Sequence, residues 1–529
     1  MKKKGICILL CCLLLLSGCA AGAKEVEGQT LWVLTEQSCS DGMNLQAEIV
    51  ARRMEQENPG LTVRLEVLPV ESQEREIRLS QLRTKIMSGD GPDVYLLPTG
   101  NTLTTDYVNE YHRRATKETE IVPLFPDVAQ AMRSGLFEDL RELYDGDGEL
   151  NAKALKKEIM DAGMVENHRY VLPLRFDIPV ILTDPALWER YGLSEELLES
   201  DGLGLANALL DSESSVVSGL RLPEDLRLLS APFDYETEQL QLSTQQVADY
   251  LRVYQRWKAA TIPEDQALLQ SAFQETMSYL EKLWRPILEG TVRDTFLTME
   301  AYNRLSHYIC EDIHWSTRGF PLFSCSMADS LESLAVAKTY EAVYGQEREL
   351  LCYPWRNADG KITANITYWG AVGSGTQNPE LCYAFLRQFL EEEFQWDAYR
   401  PREKENGKTR TYEVQCAGQV ENSWPVRTVG SSALWETLRY QNRKMAYSGR
   451  KESNQVGAAA RSLTFADEDI PALSWKIDEV RFPVTLSGED SIESALRQLN
   501  EEDGTPKETD IDKLAEQVCQ GLWWHLAEG

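Results

Sequence analysis

Residues 31–34 are LWVL, residues 61–67 are LTVRLEV and residues 93–97 are DVYLL. The middle segment alternates apolar and polar side chains, the period of a β-strand, and the other two are short apolar runs typical of buried strands. Between them, apolar residues recur at helical spacing before the turns at 58–60 and 88–92: Leu45, Ile49, Met54, Leu79, Leu82 and Ile86. The order strand, helix, strand, helix, strand predicts an α/β fold with a parallel sheet covered by helices.

Ligands of parallel sheets bind outside the carboxyl ends of the strands. Polar side chains occupy these positions in the sequence, with Glu36 and Gln37 after the first strand and Thr99 and Asn101 after the third. We therefore treat these four residues as candidate ligand-binding groups. Helix capping or a position in a solvated loop is the alternative for each of them.

Similar patterns continue along the chain. Apolar runs predict strands at 170–174, 180–182 and 366–372, and helical spacing predicts helices at 245–257, 266–284 and 510–528. Asn378 is a candidate cap for a helix with Pro379 in its first turn. The DGDGE stretch at 145–149 resembles a calcium loop only superficially, because it lacks the required length and the terminal Glu, so we predict a turn there.

The N-terminus has the composition of a secretory signal. Residues 1–19 are MKKKGICILLCCLLLLSGC, a basic start, an apolar run and a small-residue exit. The apolar run is too short for a transmembrane helix. The LSGC ending at 16–19 resembles the lipobox of bacterial lipoproteins, which implies removal of residues 1–18, lipidation (diacylation) of Cys19 and a tether at 19–29. The alternative is a plain secreted protein in which Cys19 is incidental.

Composition narrows the functional classes. The chain has 529 residues and a net charge of -30, which argues against general electrostatic binding of nucleic acid or of an anionic membrane surface. After Cys19 the cysteines are odd in number and form no CxxC spacing, so neither a zinc site nor a disulfide framework is indicated. The sequence also lacks HExxH, G-x-S-x-G, P-loop and dinucleotide-binding patterns. We therefore predict no enzymatic activity, no cofactor and no metal.

Further motifs follow one another in a specific order. They are ENPGLTV at 57–63, GDGPDV at 89–94, GLFEDL at 135–140, HRYVLP at 168–173, TDPALW at 183–188, GAVGS at 370–374, NPE at 378–380 and AFL at 384–386. In this order behind a lipobox, the chain resembles the extracellular solute-binding lipoproteins of ABC importers, family 1, the maltose and multiple-sugar type. It departs from them in its extra sequence between Gln395 and Asp510, and in having RGFPLF at 318–323 where the family has Gly-Lys-Ala-Ala-Met.

The resemblance implies a periplasmic-binding-protein-like fold. Two lobes, each a mainly parallel sheet flanked by helices, would be joined by a hinge of several segments. We assign residues 25–174 and 318–368 to the N-terminal lobe and residues 175–317 and 369–529 to the C-terminal lobe. A monomer anchored at the extracytoplasmic face of the bacterial membrane would then bind a carbohydrate, an oligosaccharide, between the lobes and deliver it to an importer permease.

A sugar site needs aromatic platforms and planar hydrogen-bonding groups. Trp369, next to Tyr368, is our preferred stacking platform, with core packing as the alternative. By resemblance, Asp177 falls where a carboxylate accepts sugar hydroxyls, and an ion pair with Arg175 is its alternative. The further candidates are Arg175 and Phe176 at the lobe crossing, Trp355 in a loop, Trp315 just before the RGFPLF stretch and Trp435 in a late helical segment. For the three tryptophans a structural role is the alternative.

Two other functions fit the same sequence. A sensor that reports to a membrane kinase would have the same fold, and neighbouring genes would distinguish it from an importer component. A surface enzyme acting on glycans would need a carboxylate pair across the cleft and would hydrolyse its ligand. A peptide-binding lipoprotein is a weaker alternative, because the motifs above do not resemble that family.

Overall fold

The computed structural model describes residues 28–36, 41–69, 72–99, 122–183, 194–212, 226–261, 322–325, 351–395, 424–427, 475–486, 488–501 and 505–528. The signal peptide and Cys19 lie outside these ranges. The chain begins with five elements in the predicted order: β1 (Gln29–Glu36), α1 (Asp41–Glu57), β2 (Leu61–Leu68), α2 (Ser72–Met87) and β3 (Val94–Pro98). The predicted α/β start of the chain is confirmed.

Strand β1 lies between β2 and β3 and runs parallel to both. Val33 is opposite Leu65 of β2 and Val94 of β3. All five residues of β3 are buried, as expected for a continuous apolar run covered on both faces. The spacing of apolar residues in the sequence therefore translates directly into this part of the sheet.

The turn before β3 packs against a second turn far along the chain. The carboxylate of Asp93 accepts a hydrogen bond from the backbone N–H of Trp32 at 2.8 Å, which joins the turn to β1. A Cβ atom added to Gly373 would lie 2.3 Å from the carbonyl oxygen of Pro92, so only glycine fits there. The GDGPDV motif at 89–94 and the GAVGS motif at 370–374 thus pack directly against each other.

The strand β12 (Thr363–Val372) is the centre of the main sheet. It is antiparallel to β3 on one side and to β6 (Val171–Asp177) on the other. The order is β2-β1-β3-β12-β6-β13, where β13 is Trp424–Pro425, and β14 (Glu479–Arg481) pairs in parallel with the start of β12. The predicted parallel sheet therefore also contains an antiparallel strand, β12, which comes from a later part of the chain and lies between β3 and β6.

Short helices and a hairpin complete the packing around this sheet. They are α3 (Val128–Arg133), α4 (Arg141–Gly146), α5 (Lys157–Asp161), β4 (Met164–Val165), β5 (His168–Arg169), α8 (Pro379–Arg387) and α9 (Glu392–Gln395). Helix α8 begins at Pro379 as predicted, but the side chain of Asn378 makes no capping hydrogen bond. The fixed φ of proline is sufficient to start the helix.

A second set of helices surrounds another hydrophobic core. It consists of α6 (Gly202–Asp211), α7 (Thr244–Thr261), α10 (Ile492–Arg497) and α11 (Ile511–Glu528), with a hairpin of β8 (Phe233–Asp234) and β9 (Gln239–Leu240). Two predicted helices, at 245–257 and 510–528, are confirmed, and the one at 266–284 lies outside the described residues. None of the helices in the described ranges is long and apolar enough to cross a membrane.

Strand β7 (Val180–Thr183) follows the main sheet and is flanked by β10 (Leu322–Cys325) and β11 (Leu351–Pro354). Both neighbours pair with β7 in antiparallel register. These three strands differ from the parallel pairing expected for the second lobe.

The described residues form two separately packed units. The first core draws on residues between 31 and 178, between 362 and 394 and between 426 and 482, and the second on residues between 198 and 257, between 353 and 355 and between 484 and 526. We call these the first unit and the second unit. The chain passes between them after Ile178, after Trp355 and after Phe482. The prediction of two α/β lobes with several crossings is confirmed.

The predicted boundaries between the lobes need correction. Residues after 368 were assigned to the C-terminal lobe, yet Trp369, Phe385 and Phe389 belong to the first core. The reason is that β12 is one continuous strand between β3 and β6 and cannot be divided at residue 368. Conversely, Trp355 was assigned to the N-terminal lobe and packs in the second core.

The acidic turn at 145–149 is held by hydrogen bonds to the rest of the first unit. The carboxylate of Asp147 accepts hydrogen bonds from Arg387 at 3.1 Å, from the Tyr383 hydroxyl at 3.0 Å and from the Leu150 N–H at 2.9 Å. Burial alone would raise the pKa of Asp147, but these hydrogen bonds and the charge of Arg387 outweigh it, so the pKa lies below its ordinary value of 3.8. The turn is therefore fastened to α8.

We expect Asp147→Asn to remove part of the acid sensitivity of the fold. Because the pKa of Asp147 is lowered on folding, its stabilisation is present above pH 3.8 and is lost as the pH falls through the folded value. The substitution should lower the free energy of unfolding by about 1–3 kcal/mol at neutral pH and by less at about pH 3. Urea unfolding at both pH values measures this. Asp145→Asn, at an exposed ion pair with Arg141, is the control, and an equal loss at both pH values would contradict the expectation.

Candidate functional site

The ends of several strands meet at one edge of the main sheet. β1 ends at Glu36, β3 is followed by Thr99 and β6 ends at Asp177. Because β12 is antiparallel to both β3 and β6, the ends of these two strands lie beside its beginning, and Asn365 is opposite Asp177. Glu36 and Thr99, two of the four strand-end residues predicted from the sequence, are therefore brought to the same edge as Asp177. This edge adjoins the passage from the first unit to the second.

Glu36 forms a buried ion pair with Arg75. The guanidinium donates to both carboxylate oxygens, at 2.6 and 2.8 Å, and both side chains are at most 3% exposed. Arg75 also donates to the carbonyl oxygens of Val122 and Pro69. Burial raises the pKa of Glu36 even though Arg75 opposes this effect. In this arrangement the carboxylate joins segments of the chain and faces no open surface.

Thr99 is likewise engaged within the sheet. Its hydroxyl donates to the carbonyl oxygen of Ile366 at 2.7 Å, and its backbone N–H donates to the carbonyl of Thr367 at 2.9 Å. The side chain is 1% exposed. Thr99 extends the pairing between β3 and β12 beyond the end of the strand.

Arg175 links β6 to α9 by hydrogen bonds. Its guanidinium donates to the carbonyl oxygens of Phe394 at 3.0 Å and Gln395 at 3.1 Å. Complete burial lowers the pKa of Arg175 to about 10, so the side chain remains charged at neutral pH. Because its donors are directed at the main chain of α9, Arg175 is not placed to contact a ligand, which corrects the role suggested for it from the sequence.

Asp177 pairs with an arginine that the sequence analysis did not identify. Arg227 donates to Oδ2 of Asp177 at 3.1 Å, and both residues are buried. An ion pair with Arg175 was the alternative considered for Asp177. Residues 175 and 177 do lie on the same face of β6, but the guanidinium of Arg175 is directed at α9, and Arg227 is the partner of Asp177. Arg227 lies in a short 3-10 segment, Leu226–Leu228, whose leucines pack in or against the second core. The pair therefore spans the junction between the two units.

The aromatic candidates are core residues. Trp369 is 1% exposed, with its ring centroid 5.9 Å from Phe125 and 5.7 Å from Phe137. Its neighbour Tyr368 and Phe176 of β6 are also buried in the first core. A ring enclosed on both faces offers no platform to a sugar, so the preferred stacking role of Trp369 is not compatible with this packing. The alternative given for it, core packing, describes its position.

Trp355 occupies the same kind of position in the second unit. It is 1% exposed, its ring lies 6.1 Å from that of Trp257, and its indole N–H donates to the carbonyl of Gly202 at 3.3 Å. Its backbone N–H donates to the carbonyl of Pro179, which ties two of the crossings together. Trp355 is therefore a structural residue at the junction of the two units. The remaining candidates, Gln37, Asn101, Trp315 and Trp435, lie outside the described residues.

The described part of the edge is thus a polar, ion-paired floor at the junction of two cores. Arg227 and Asn365 are the additional residues that the topology places there, next to Asp177. No local sequence pattern marks Arg227, because its partner is 50 positions away. A floor of this kind places fixed charges and hydrogen-bonding groups at the junction of the two units.

Comparisons with known proteins give the following. No protein-family model and no curated protein matches the chain. An extracellular solute-binding protein of family 1 from Alicyclobacillus acidocaldarius subsp. acidocaldarius DSM 446 shares 13% identity, with 94% of this chain and 99% of that chain covered and a TM-score of 0.40. A periplasmic oligogalacturonide-binding protein from Yersinia enterocolitica shares 12% identity over 94% and 99%, with a TM-score of 0.43.

A de novo designed cysteine esterase shares 13% identity over 95% of this chain and 99% of that chain, with a TM-score of 0.46. The assignment of an α/β fold with two units therefore rests on the strand order and the two cores described above.

Proposed function

We propose that this protein is a lipid-anchored, extracellular solute-binding protein that captures a carbohydrate between its two units. The observation that carries the proposal is the architecture: two separately packed cores, linked within the described ranges by three passages of one chain, with the ends of β1, β3 and β6 at their junction. Ligand sites occur preferentially at such junctions and at the carboxyl ends of strands. The ordered motifs in the sequence support the same role.

The chemistry of the junction supports a ligand rich in hydroxyl groups. Asp177 and Arg227 supply a carboxylate and a planar guanidinium in a buried setting, where hydrogen bonds to charged groups are strong. A hydroxyl both donates and accepts, so it can bond to either member of this pair. An oligosaccharide is the ligand class we favour.

The N-terminal sequence supports a role at the membrane. Lipidation at Cys19 would hold the protein at the extracytoplasmic face and raise its effective concentration near a permease. Closure of the two units around the ligand would precede delivery to that ABC importer. Deletion of the gene should therefore abolish uptake of the bound sugar, whereas a sensor would leave uptake intact and abolish a transcriptional response.

The first experiment is a thermal-shift screen of the soluble protein from Ala20 onward against mono- and oligosaccharides, with peptides as controls. A ligand that binds only the folded state raises the melting temperature with increasing concentration. We expect a shift with at least one glycan, recovered chemically unaltered. A shift with peptides alone would overturn the carbohydrate assignment, and recovery of cleaved glycan would establish an enzyme instead.

We expect Arg227→Gln to weaken binding of that glycan at least about tenfold, because it removes a charged hydrogen-bond donor and leaves the buried carboxylate of Asp177 without this partner. Titration calorimetry, performed well below the melting temperature of the variant, measures this. The matched control is Arg252→Gln, which breaks exposed ion pairs with Asp249 and Asp512 in the second unit. Equal affinity of Arg227→Gln and the control would contradict a ligand site at this junction.

A further inference from the structure

A second polar contact joins the two units away from the Asp177 pair. Asp127 lies at the start of α3 in the first unit, where its Oδ1 accepts a hydrogen bond from the N–H of Gln130. Its Oδ2 accepts a hydrogen bond from the Tyr235 hydroxyl at 2.6 Å and lies 3.4 Å from Nε2 of His525. Tyr235 and His525 belong to the second unit. We call these three residues the latch contact.

Packing within the second unit holds both partners in place. The ring of Phe233, in the second core, stacks with the imidazole of His525 at 6.0 Å and contacts the ring of Tyr235 at 5.6 Å. His525 is on α11 and Tyr235 follows β8, so two elements of the second unit converge on a single carboxylate. Asp127 itself is 6% exposed. The contact is therefore built from both sides.

Neighbouring groups favour the same arrangement. The guanidinium of Arg133, on α3, lies 4.6 Å from the centroid of the Tyr235 ring, a cation–π contact across the junction. Burial and the carboxylate of Asp127 raise the pKa of Tyr235, which keeps its hydroxyl protonated as a donor. The backbone N–H of Thr485 also donates to the carbonyl of Pro126 at 3.0 Å, directly beside Asp127. The half-buried carboxylate of Asp234 also lies near Arg133.

We propose that the latch contact stabilises the observed arrangement of the two units and so sets the equilibrium between this arrangement and others. The inference rests on the proposed function in that it assigns the latch to a protein whose units move around a ligand. A carboxylate buried between separately packed units is stable there only while its hydrogen bonds persist. Movement of the units apart at this point breaks a charge-assisted hydrogen bond and exposes Asp127 to water. The latch therefore opposes that movement.

Tyr235→Phe is the most selective test. It removes one hydroxyl and keeps the ring that contacts Phe233 and Arg133. The matched control is Tyr383→Phe, which removes the hydroxyl hydrogen bond to Asp147 within the first unit alone. If Tyr235→Phe does not fold, His525→Gln tests the same contact from α11.

The measurement is the distance distribution between two genetically encoded keto-amino-acid spin labels, at Arg52 in the first unit and Arg497 in the second. Both side chains are exposed, at 69% and 64%. We expect Tyr235→Phe to increase the population of other distances about tenfold relative to the main one, since a hydrogen bond to a charged group is lost. Tyr383→Phe should leave the distribution unchanged.

Ligand affinity gives a second readout. The dissociation constant of the glycan found in the screen should change in Tyr235→Phe by a factor that matches the population shift. It should rise if the observed arrangement binds the glycan and fall if the other arrangement does. A distance distribution identical to that of the unsubstituted protein would overturn the latch while leaving ligand binding standing. Failure to find any glycan would overturn the proposed function, and the distance measurement would still decide the latch.

Discussion

Replacing Trp369 with alanine should lower the free energy of unfolding by about 3–5 kcal/mol, the cost of removing a large aromatic side chain from a core. The indole is 1% exposed and lies edge-on or tilted against Phe125 and Phe137. Tyr95 contacts Phe125 and Phe137 in turn, so four rings form one cluster. Truncation would leave a cavity that this rigid arrangement cannot close.

Urea denaturation of the purified protein measures the loss, and Trp369→Phe should recover part of it because a ring remains in the cluster. The control is Trp523→Ala, since Trp523 is 51% exposed on α11 and should cost less than about 1 kcal/mol. If Trp369→Ala unfolded at the same urea concentration as the unsubstituted protein but no longer bound glycan, the ligand-stacking role predicted from the sequence would be correct and the core role would fail.

The helices and strands of the first unit could be predicted because the pattern of apolar residues within each one indicates which of its side chains are buried. The alternation in β2 and the apolar runs of β1 and β3 depend only on neighbours in the sequence. The lobe boundary after residue 368 could not be predicted in this way. Strand β12 is assigned to a unit by its pairing with β3 and β6, and no local pattern in residues 363–372 distinguishes a crossing segment from the central strand of a sheet.

The candidate site shows the same division. The strand-end rule correctly placed Glu36 and Thr99 at one edge of the sheet, and Asp177, proposed from the family resemblance, lies at the same edge. It could not show that each is buried and bonded to a distant group, because Arg75, the Ile366 carbonyl and Arg227 carry no signal near their partners in the sequence. Strand ends predict where polar groups collect. Whether such a polar group can contact a ligand depends on its long-range partners, which the local sequence does not indicate.

Arg75→Met should be as damaging as the tryptophan substitution, with an expected loss of about 3–5 kcal/mol, because it leaves a buried carboxylate without its charged partner. Both Glu36 and Arg75 are at most 3% exposed, and two hydrogen bonds of 2.6 and 2.8 Å join them. The substitution also removes the donors to Val122 and Pro69, which hold the chain on either side of α2. The exposed pair of Arg52 and Glu48 provides the control, since Arg52→Met should cost at most about 0.5 kcal/mol.

The pH dependence of the loss identifies its cause. Burial already raises the pKa of Glu36 above 4.5 when Arg75 is present, and removal of the guanidinium should raise it further. A carboxyl whose pKa is raised on folding binds protons more readily in the folded state, so stability increases as the pH falls through the folded value towards 4.5. The deficit of Arg75→Met should therefore shrink on acidification. Combining it with Glu36→Gln, which removes the buried charge, should recover part of the loss at neutral pH. A deficit independent of pH and unchanged in the double variant would show that Arg75 acts through Val122 and Pro69 and not through the ion pair.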